Sequence, residues 1–174
     1  MIRALTLSMV LAPLSAHAEL QPAVAELMPH MDITAACFDG AEDSNAAAAC
    51  VGQGSGLCMA SETDGQTTVG MMFCTLAEYE AWYRLLNRDY GPIMDGLQAM
   101  DDQDVEFFPE FANRADSLRD AQRAWIPLRD TQCALEYAMW GAGSMRQIAG
   151  ASCLLDLTAK RVIYLRFLGE GMRG

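Results

Sequence analysis

The feature that most constrains this chain is a pair of apolar, helix-periodic segments on either side of a glycine-containing turn. Before the turn, a set of residues recurs every three or four positions, which is the period of one helix face. The set is Leu118, Gln122, Trp125, Arg129, Cys133 and Glu136. The pattern resumes from Ile148 to Leu165. Cys133 and Cys153 each lie ten residues from Gly143. In an antiparallel hairpin closed near that glycine they stand at the same height, so we expect a disulfide to lock the two helices together.

Residues 1–18 have the pattern of a secretory signal peptide. Arg3 supplies a positive charge, residues 4–14 are mostly apolar, and Ala16-His17-Ala18 has the small-x-small form of a cleavage site. The apolar run is too short to span a bilayer, and no cysteine stands at the expected cut. These features predict a protein that is periplasmic or secreted, with no lipid anchor and no membrane insertion after cleavage.

The cysteines indicate an oxidising compartment. All six follow the predicted cleavage site, and an even number behind a signal peptide is typical of a disulfide framework. Six cysteines leave the connectivity open. We predict that near neighbours pair across single turns, giving Cys37–Cys50, Cys58–Cys74 and Cys133–Cys153.

Charge is distributed unevenly along the chain. The formal net charge is −11, and residues 19–83 contain ten acidic residues with no Lys or Arg. A negative field repels nucleic acid and anionic membranes and favours a basic protein as partner. An acidic surface that only keeps the protein soluble is the alternative.

The periodicity predicts an all-α fold, a small disulfide-linked helical bundle that contains the antiparallel hairpin. Short helices are expected over residues 20–38, with interruptions at Pro22 and Pro29, and over residues 46–58. A longer helix should begin after a capping box formed by Thr75 and Glu78 and should bend or break at Gly91-Pro92. Residues 101–104 are expected to form an acidic loop, after which three aromatic residues return to the core: Phe107, Phe108 and Phe111.

No catalytic, metal or cofactor site is predicted. His30 has no second histidine near it, and neither a nucleophilic triad nor a zinc site is indicated, so the chain is not expected to be an enzyme. Asn87, Gln122 and Arg129 fall on or beside apolar stripes. Buried polar groups need partners, and a network that ties neighbouring helices together is favoured over a ligand site.

Four segments resemble the lysozyme inhibitor LprI-like N-terminal domain family, over about residues 74–168. They are the Cys74-led helix with EYEAWYRLLNRDY, then AQRAWIPLRDTQC, the turn GAGS, and CLLDLTAKRVIYL. The shared positions, which we interpret as fold determinants, are Trp82, Leu86, Asn87, Tyr90, Gln122, Trp125, Arg129, Gly143, Thr158 and Arg161.

The resemblance implies a helical extracytoplasmic domain of bacteria, in a family named for lysozyme inhibition by a lipoprotein member. We divide the chain into a signal peptide (1–18), an acidic N-terminal extension packed on the domain (19–73) and an LprI-like helical domain (74–170). The function expected is that of a binding domain that inhibits a basic enzyme such as lysozyme; the alternative is an envelope interaction domain with another partner. Acidic loops are the expected contacts: Glu42, Asp43, Glu62, Asp64, Asp101, Asp102 and Asp104.

Overall fold

The computed structural model describes residues 20–171, so the predicted signal peptide lies outside the described residues. Those residues form seven α-helices and two 3-10 turns, with no strand among them. The all-α prediction is confirmed. The helices are α1 (Pro22–Leu27), α2 (Asp32–Gly40), α3 (Ser44–Ala48), α4 (Gln53–Ser61), α5 (Thr68–Asp104), α6 (Arg114–Met139) and α7 (Met145–Gly171), and the 3-10 turns are Met28–Met31 and Pro109–Phe111.

Helix α5 is the longest of the described helices and forms the axis of the fold, because most of the other elements pack against it. It starts about two turns earlier than the sequence predicts, because the Thr67 hydroxyl accepts a hydrogen bond from Gly70 N at 3.0 Å and caps the helix. The predicted capping box at Thr75 is therefore wrong: the Thr75 hydroxyl donates to the carbonyl of Met71 one turn back. The helix also continues without interruption through Pro92.

The predicted hairpin is confirmed. Helices α6 and α7 pack together, and the Cα atoms of Cys133 and Cys153 lie 5.4 Å apart in a disulfide. Gly141 takes a φ of +53° in the turn, a conformation that glycine adopts without steric cost, and its N–H donates to the carbonyl of Ala138. Helix α7 lies along α5, so the hairpin is fastened to the axis of the fold.

The main core lies between α5, α7 and the N-terminal helices. Trp82 and Phe38 are fully buried and pack edge to face, with ring centroids 5.1 Å apart. Helix α7 contributes apolar residues at helical spacing to the same cluster, among them Leu155, Ala159 and Val162.

The N-terminal segment, residues 20–67, follows the predicted disulfide pairing and follows the predicted helices only in part. Cys37–Cys50 fastens α2 to the turn after α3, and Cys58–Cys74 fastens α4 to α5, with Cα separations of 5.7 and 5.6 Å. The helix expected over residues 46–58 is split into α3 and α4, since Gly52 turns the chain with a φ of +91°. In residues 20–38, the interruption expected at Pro29 is present as the Met28–Met31 turn between α1 and α2, whereas Pro22 begins α1 and does not interrupt it.

The acidic stretch at residues 101–104 is the last turn of α5, so the expectation of a loop is wrong. The carboxylate of Asp101 accepts hydrogen bonds from the backbone N–H groups of Arg114 and Ala115 at 3.1 and 2.9 Å, and caps α6. Burial by itself raises the pKa of Asp101, but these bonds and the Arg114 guanidinium outweigh it and hold the pKa below its ordinary value. Asp101 is thus a structural link between α5 and α6.

The aromatic residues after this point do not return to the core, contrary to the sequence-based expectation. Phe107, Phe108 and Phe111 are 73%, 55% and 58% exposed. The Asp101 link joins the end of α5 directly to the start of α6, so the intervening residues 105–113 reverse direction at the end of the bundle. The hydrophobic core passes from Leu97 on α5 to Ala115 on α6 and does not include the three phenylalanines. We call Phe107, Phe108 and Phe111 the phenylalanine turn.

Candidate functional site

A buried carboxylate attaches the N-terminal segment to α5. Glu78 is fully buried; its Oε1 accepts from Gly52 N at 2.7 Å and from Trp82 Nε1 at 3.2 Å, and its Oε2 accepts from Ser55 N at 2.7 Å. Two of these donors are free N–H groups at the start of α4, which every helix must satisfy. Glu78 thereby fixes the position of α4 relative to α5.

Beside this link, a second apolar cluster supports the surface of the N-terminal segment. It joins Val24 and Met31 to the Cys58–Cys74 disulfide and to Ala77 of α5. Leu27 and Phe73 are partly buried at its edge. The cluster holds α1 against the first turns of α5.

The loop between α4 and α5, residues 62–67, is held rigidly on the start of α5. The carbonyl of Asp64 accepts from the Thr67 hydroxyl at 2.7 Å and from Thr67 N at 3.0 Å. A Cβ atom at Gly70 would overlap the carbonyl oxygen of Asp64, so only glycine permits this approach. The loop therefore presents its acidic side chains in a defined place.

Together, α1, this loop and α5 enclose a groove of about 520 Å³. Its apolar lining includes Leu27, Val69 and Phe73, and its carboxylates are Glu26, Glu62 and Asp64. We call it the acidic groove. It combines an apolar floor with negative groups, the pattern expected of a site that fixes a ligand by a few polar contacts.

The acidic groove carries negative charge that no Lys or Arg of the described residues neutralises. Within residues 20–171, neither residue type lines it. Glu62 binds the His30 ring, with Nε2 and Oε1 2.7 Å apart. Glu26 and Asp64 enter none of the ion pairs formed within residues 20–171. The groove is suited to a cationic group.

The acidic residues expected from the sequence to contact a partner do not share one surface. Glu62 and Asp64 meet in the acidic groove. Glu42 and Asp43 are exposed elsewhere, and Asp43 caps α3 by accepting from the N–H groups of Asn45 and Ala46. The remaining three lie at the far end of α5: Asp101 is buried, Asp102 is exposed and accepts from Gln98, and Asp104 pairs with Arg114 at 2.7 Å.

Glu26 is a groove residue that the sequence analysis missed. It lies on α1, distant along the chain from Glu62 and Asp64, and only the packing of α1 on α5 brings the three together. The available signal was the absence of Lys and Arg from residues 19–83. That signal marks a negative region without locating the groove.

The family-motif arginine is at the centre of an aromatic cluster. Arg129 is 7% exposed, and its guanidinium carbon lies 5.1, 5.7 and 5.9 Å from the ring centroids of Trp125, Tyr79 and Tyr83. It pairs with Asp130 at 2.7 Å. Burial raises the pKa of Tyr79, and the Arg129 charge offsets part of that rise. The contacts join α5 to α6, as a structural network would.

Other motif residues also lie between helices. The Arg161 Nε donates to Gln122 Oε1 at 2.8 Å, which joins α7 to α6, and burial lowers the pKa of Arg161. Trp82, Leu86 and Thr158 are buried, while Tyr90 is partly buried and Gly143 is in the exposed hairpin turn. Asn87 is exposed, so it does not join the network that its position beside the apolar stripe suggested.

Across residues 20–171, no cluster of three or more His, Cys, Asp or Glu side chains is arranged to hold a metal ion. None of the helices described is long and apolar enough to cross a membrane. The one described histidine, His30, contacts Glu62 at the edge of the acidic groove.

The family model of the lysozyme inhibitor LprI matches residues 58–165, which is more than half of the chain. The chain belongs to the LprI family. An uncharacterized protein of Rhizobium meliloti (strain 1021) is 34% identical over 112 residues, covering 63% of this chain and 81% of that protein. No solved structure matches the chain.

The LprI match also bears on how the chain is divided. It begins at Cys58, and so includes the last turn of α4, the loop at residues 62–67 and the whole of α5. The boundary that we predicted at Cys74 falls within α5. The acidic groove is therefore made partly by the family region and partly by α1, which precedes it.

Proposed function

We propose that this LprI-family protein is an extracytoplasmic inhibitor that binds a basic lysozyme-type enzyme through the acidic groove. The observation that carries the proposal is the groove itself, in which three carboxylates surround an apolar floor and no Lys or Arg from the described part of the chain is present. Family membership supplies the class of partner. Three disulfides fit a protein that works outside the cytoplasm.

The groove would bind a lysine or arginine side chain that protrudes from the partner. The charged end would meet Glu26 and Asp64, and its methylene stem would lie on Val69 and Phe73, because long basic side chains cover apolar surface while keeping their charge near polar groups. The negative field of the N-terminal segment would speed encounter with a basic enzyme. Inhibition would follow from the bound protein covering the enzyme's substrate cleft.

Removing the charge of the groove is expected to weaken inhibition. The double variant Glu26→Gln and Asp64→Asn keeps the shape of both side chains, and we expect it to raise the inhibition constant for a basic c-type lysozyme by about 30-fold, from two lost charge pairs of about 1 kcal/mol each. The measurement is residual lysozyme activity against concentration of the purified protein. The dependence of inhibition on salt should also become shallower.

The matched control is Glu42→Gln with Asp102→Asn. It removes the same formal charge from two exposed residues outside the groove, and we expect inhibition within about twofold of the unaltered protein, since distant exposed charges are screened. Equal losses in both double variants would show that total charge, not the groove, governs binding. No inhibition of c-type or g-type lysozyme at a large molar excess would end the inhibitor proposal.

An envelope interaction domain with a different partner is the second candidate function. The phenylalanine turn favours it, since three exposed phenylalanines within five residues form an apolar surface at the opposite end of α5 from the groove. A partner bound there would be insensitive to the groove variants. Mapping the contact region on the protein distinguishes the two functions.

A further inference from the structure

The first turns of α5 carry an apolar stripe on the surface of the molecule. Val69, Met72, Phe73 and Leu76 follow one another at the i, i+3, i+4 and i+7 spacing that places side chains on one helix face. None of the four is buried, and Val69 is 52% exposed. We call these four residues the α5 ridge.

The ridge separates the acidic groove from a second groove. Val69 and Phe73 line the acidic groove, while Met72 and Leu76 line a groove of about 490 Å³ on the other side. The second groove lies between α5 and the hairpin, and Ala134, Tyr137 and Leu154 contribute to its lining. We call it the apolar groove.

The walls of the apolar groove are fixed by the hairpin. Cys133, which is in the hairpin disulfide, lines it. Tyr137 packs so closely on Gly150 that a Cβ there would lie 3.3 Å from the ring. The close approach holds the Tyr137 ring at the edge of the groove, which is therefore formed before any partner binds.

We infer that the α5 ridge and the apolar groove extend the acidic groove into one binding surface for a basic protein. The partner it fits presents a large apolar or aromatic side chain next to a lysine or arginine. The basic group would enter the acidic groove while the apolar side chain crosses the ridge and enters the apolar groove. This inference rests on the proposed function and adds which chemistry of the partner is recognised.

Charge and continuity both favour this occupant. Among the described residues, no Lys or Arg lines either groove. A like charge stands at the edge of the apolar groove, where the Arg146 guanidinium carbon lies 5.6 Å from the centroid of the Tyr137 ring. The partner's basic group therefore belongs in the acidic groove, which contains no such charge. Asp130 also lines the apolar groove, but its charge is paired with Arg129 at 2.7 Å, so the charge that selects the partner comes from the acidic groove. The stripe from Val69 to Leu76 is unbroken, so a single partner segment that contacts one groove lies against the other.

The test is a substitution that fills the apolar groove without changing charge. Ala134 is exposed on α6 and lines the groove, and Ala134→Gln places a larger polar side chain there in a residue type that helices accept. We expect the dissociation constant of the complex with basic c-type lysozyme to rise about 30-fold, the loss of one buried apolar side chain. The rise should be the same at low and high NaCl, because the lost contact carries no charge.

The matched control is Ala124→Gln, an exposed position on the same helix outside both grooves, which should bind as the unaltered protein does. If lysozyme binds and the Glu26 and Asp64 variant weakens it while Ala134→Gln does not, this inference is overturned and the proposed function stands. If no complex forms with the unaltered protein, the proposed function falls and this inference falls with it.

Discussion

Replacing Glu78 with alanine is expected to lower the free energy of unfolding by about 4 kcal/mol. The substitution leaves the backbone N–H groups of Gly52 and Ser55 and the indole N–H of Trp82 without their shared acceptor. Because the carboxylate is fully buried, water does not readily replace it, and each orphaned donor costs about 1–3 kcal/mol. Equilibrium unfolding in urea measures the change.

Glu80→Ala is the matched control for this prediction. Glu80 lies two residues further along α5 and makes an i,i+4 ion pair with Arg84, which is half exposed, at 3.0 Å, so its loss should cost less than about 0.5 kcal/mol. Circular dichroism checks that both variants remain helical before unfolding. A Glu78→Ala protein as stable as the Glu80→Ala protein would contradict the role given to this carboxylate.

The second large effect is expected at the hairpin disulfide. The double variant Cys133→Ser and Cys153→Ser should lose about 3 kcal/mol, since the bond closes a segment with a sequence separation of 20 residues and restricts the unfolded chain. Most of the loss should appear as a lower urea midpoint with little change in the steepness of the transition. The same variant should weaken lysozyme binding, because Cys133 is part of the apolar groove.

Ser152→Ala, next to Cys153 on α7, is the control for the hairpin variant. It changes one partly buried hydroxyl to a methyl group and leaves the disulfide intact, and its stability should lie within about 0.5 kcal/mol of the unaltered protein. If the double variant unfolded at the same urea concentration as this control, the packing of α6 on α7 and α5 would by itself hold the hairpin.

The parts of the fold that could be predicted are those that depend on the spacing of residues close together in the sequence. The hairpin follows from a helix period on each side of a glycine turn and from two cysteines equidistant from it. The other two disulfides join cysteines 13 and 16 residues apart, so pairing near neighbours gave the observed connectivity. In each case the deciding information lies within a short stretch of chain.

The failed predictions concern residues whose partners are distant in sequence. Thr75 and Glu78 have the spacing of a capping box, but the Glu78 carboxylate accepts instead from α4, 23 to 26 positions earlier. Phe107 is an apolar residue of the kind usually found in a core, yet it is exposed. Asp101 joins the end of α5 to the start of α6, and the residues between these two helices lie outside the core. No local pattern encodes either outcome.

The candidate site is an intermediate case. The loop at Glu62 and Asp64 was predicted because acidic loops stand out in the sequence, and the structure brings these two residues into one groove. Glu26 and the apolar floor come from other elements, so only tertiary packing reveals them. Asp101 was counted with the acidic loops, although burial and two backbone hydrogen bonds commit it to the capping of α6.

The most direct measurement of where this LprI-family protein binds is hydrogen–deuterium exchange of the full chain, alone and with excess basic c-type lysozyme. We expect slower exchange in residues 62–76, which cover the loop and the α5 ridge, and no change in residues 105–111, which include the phenylalanine turn. Protection confined to residues 105–111, with residues 62–76 unchanged, would contradict the assignment of the binding site to the acidic groove.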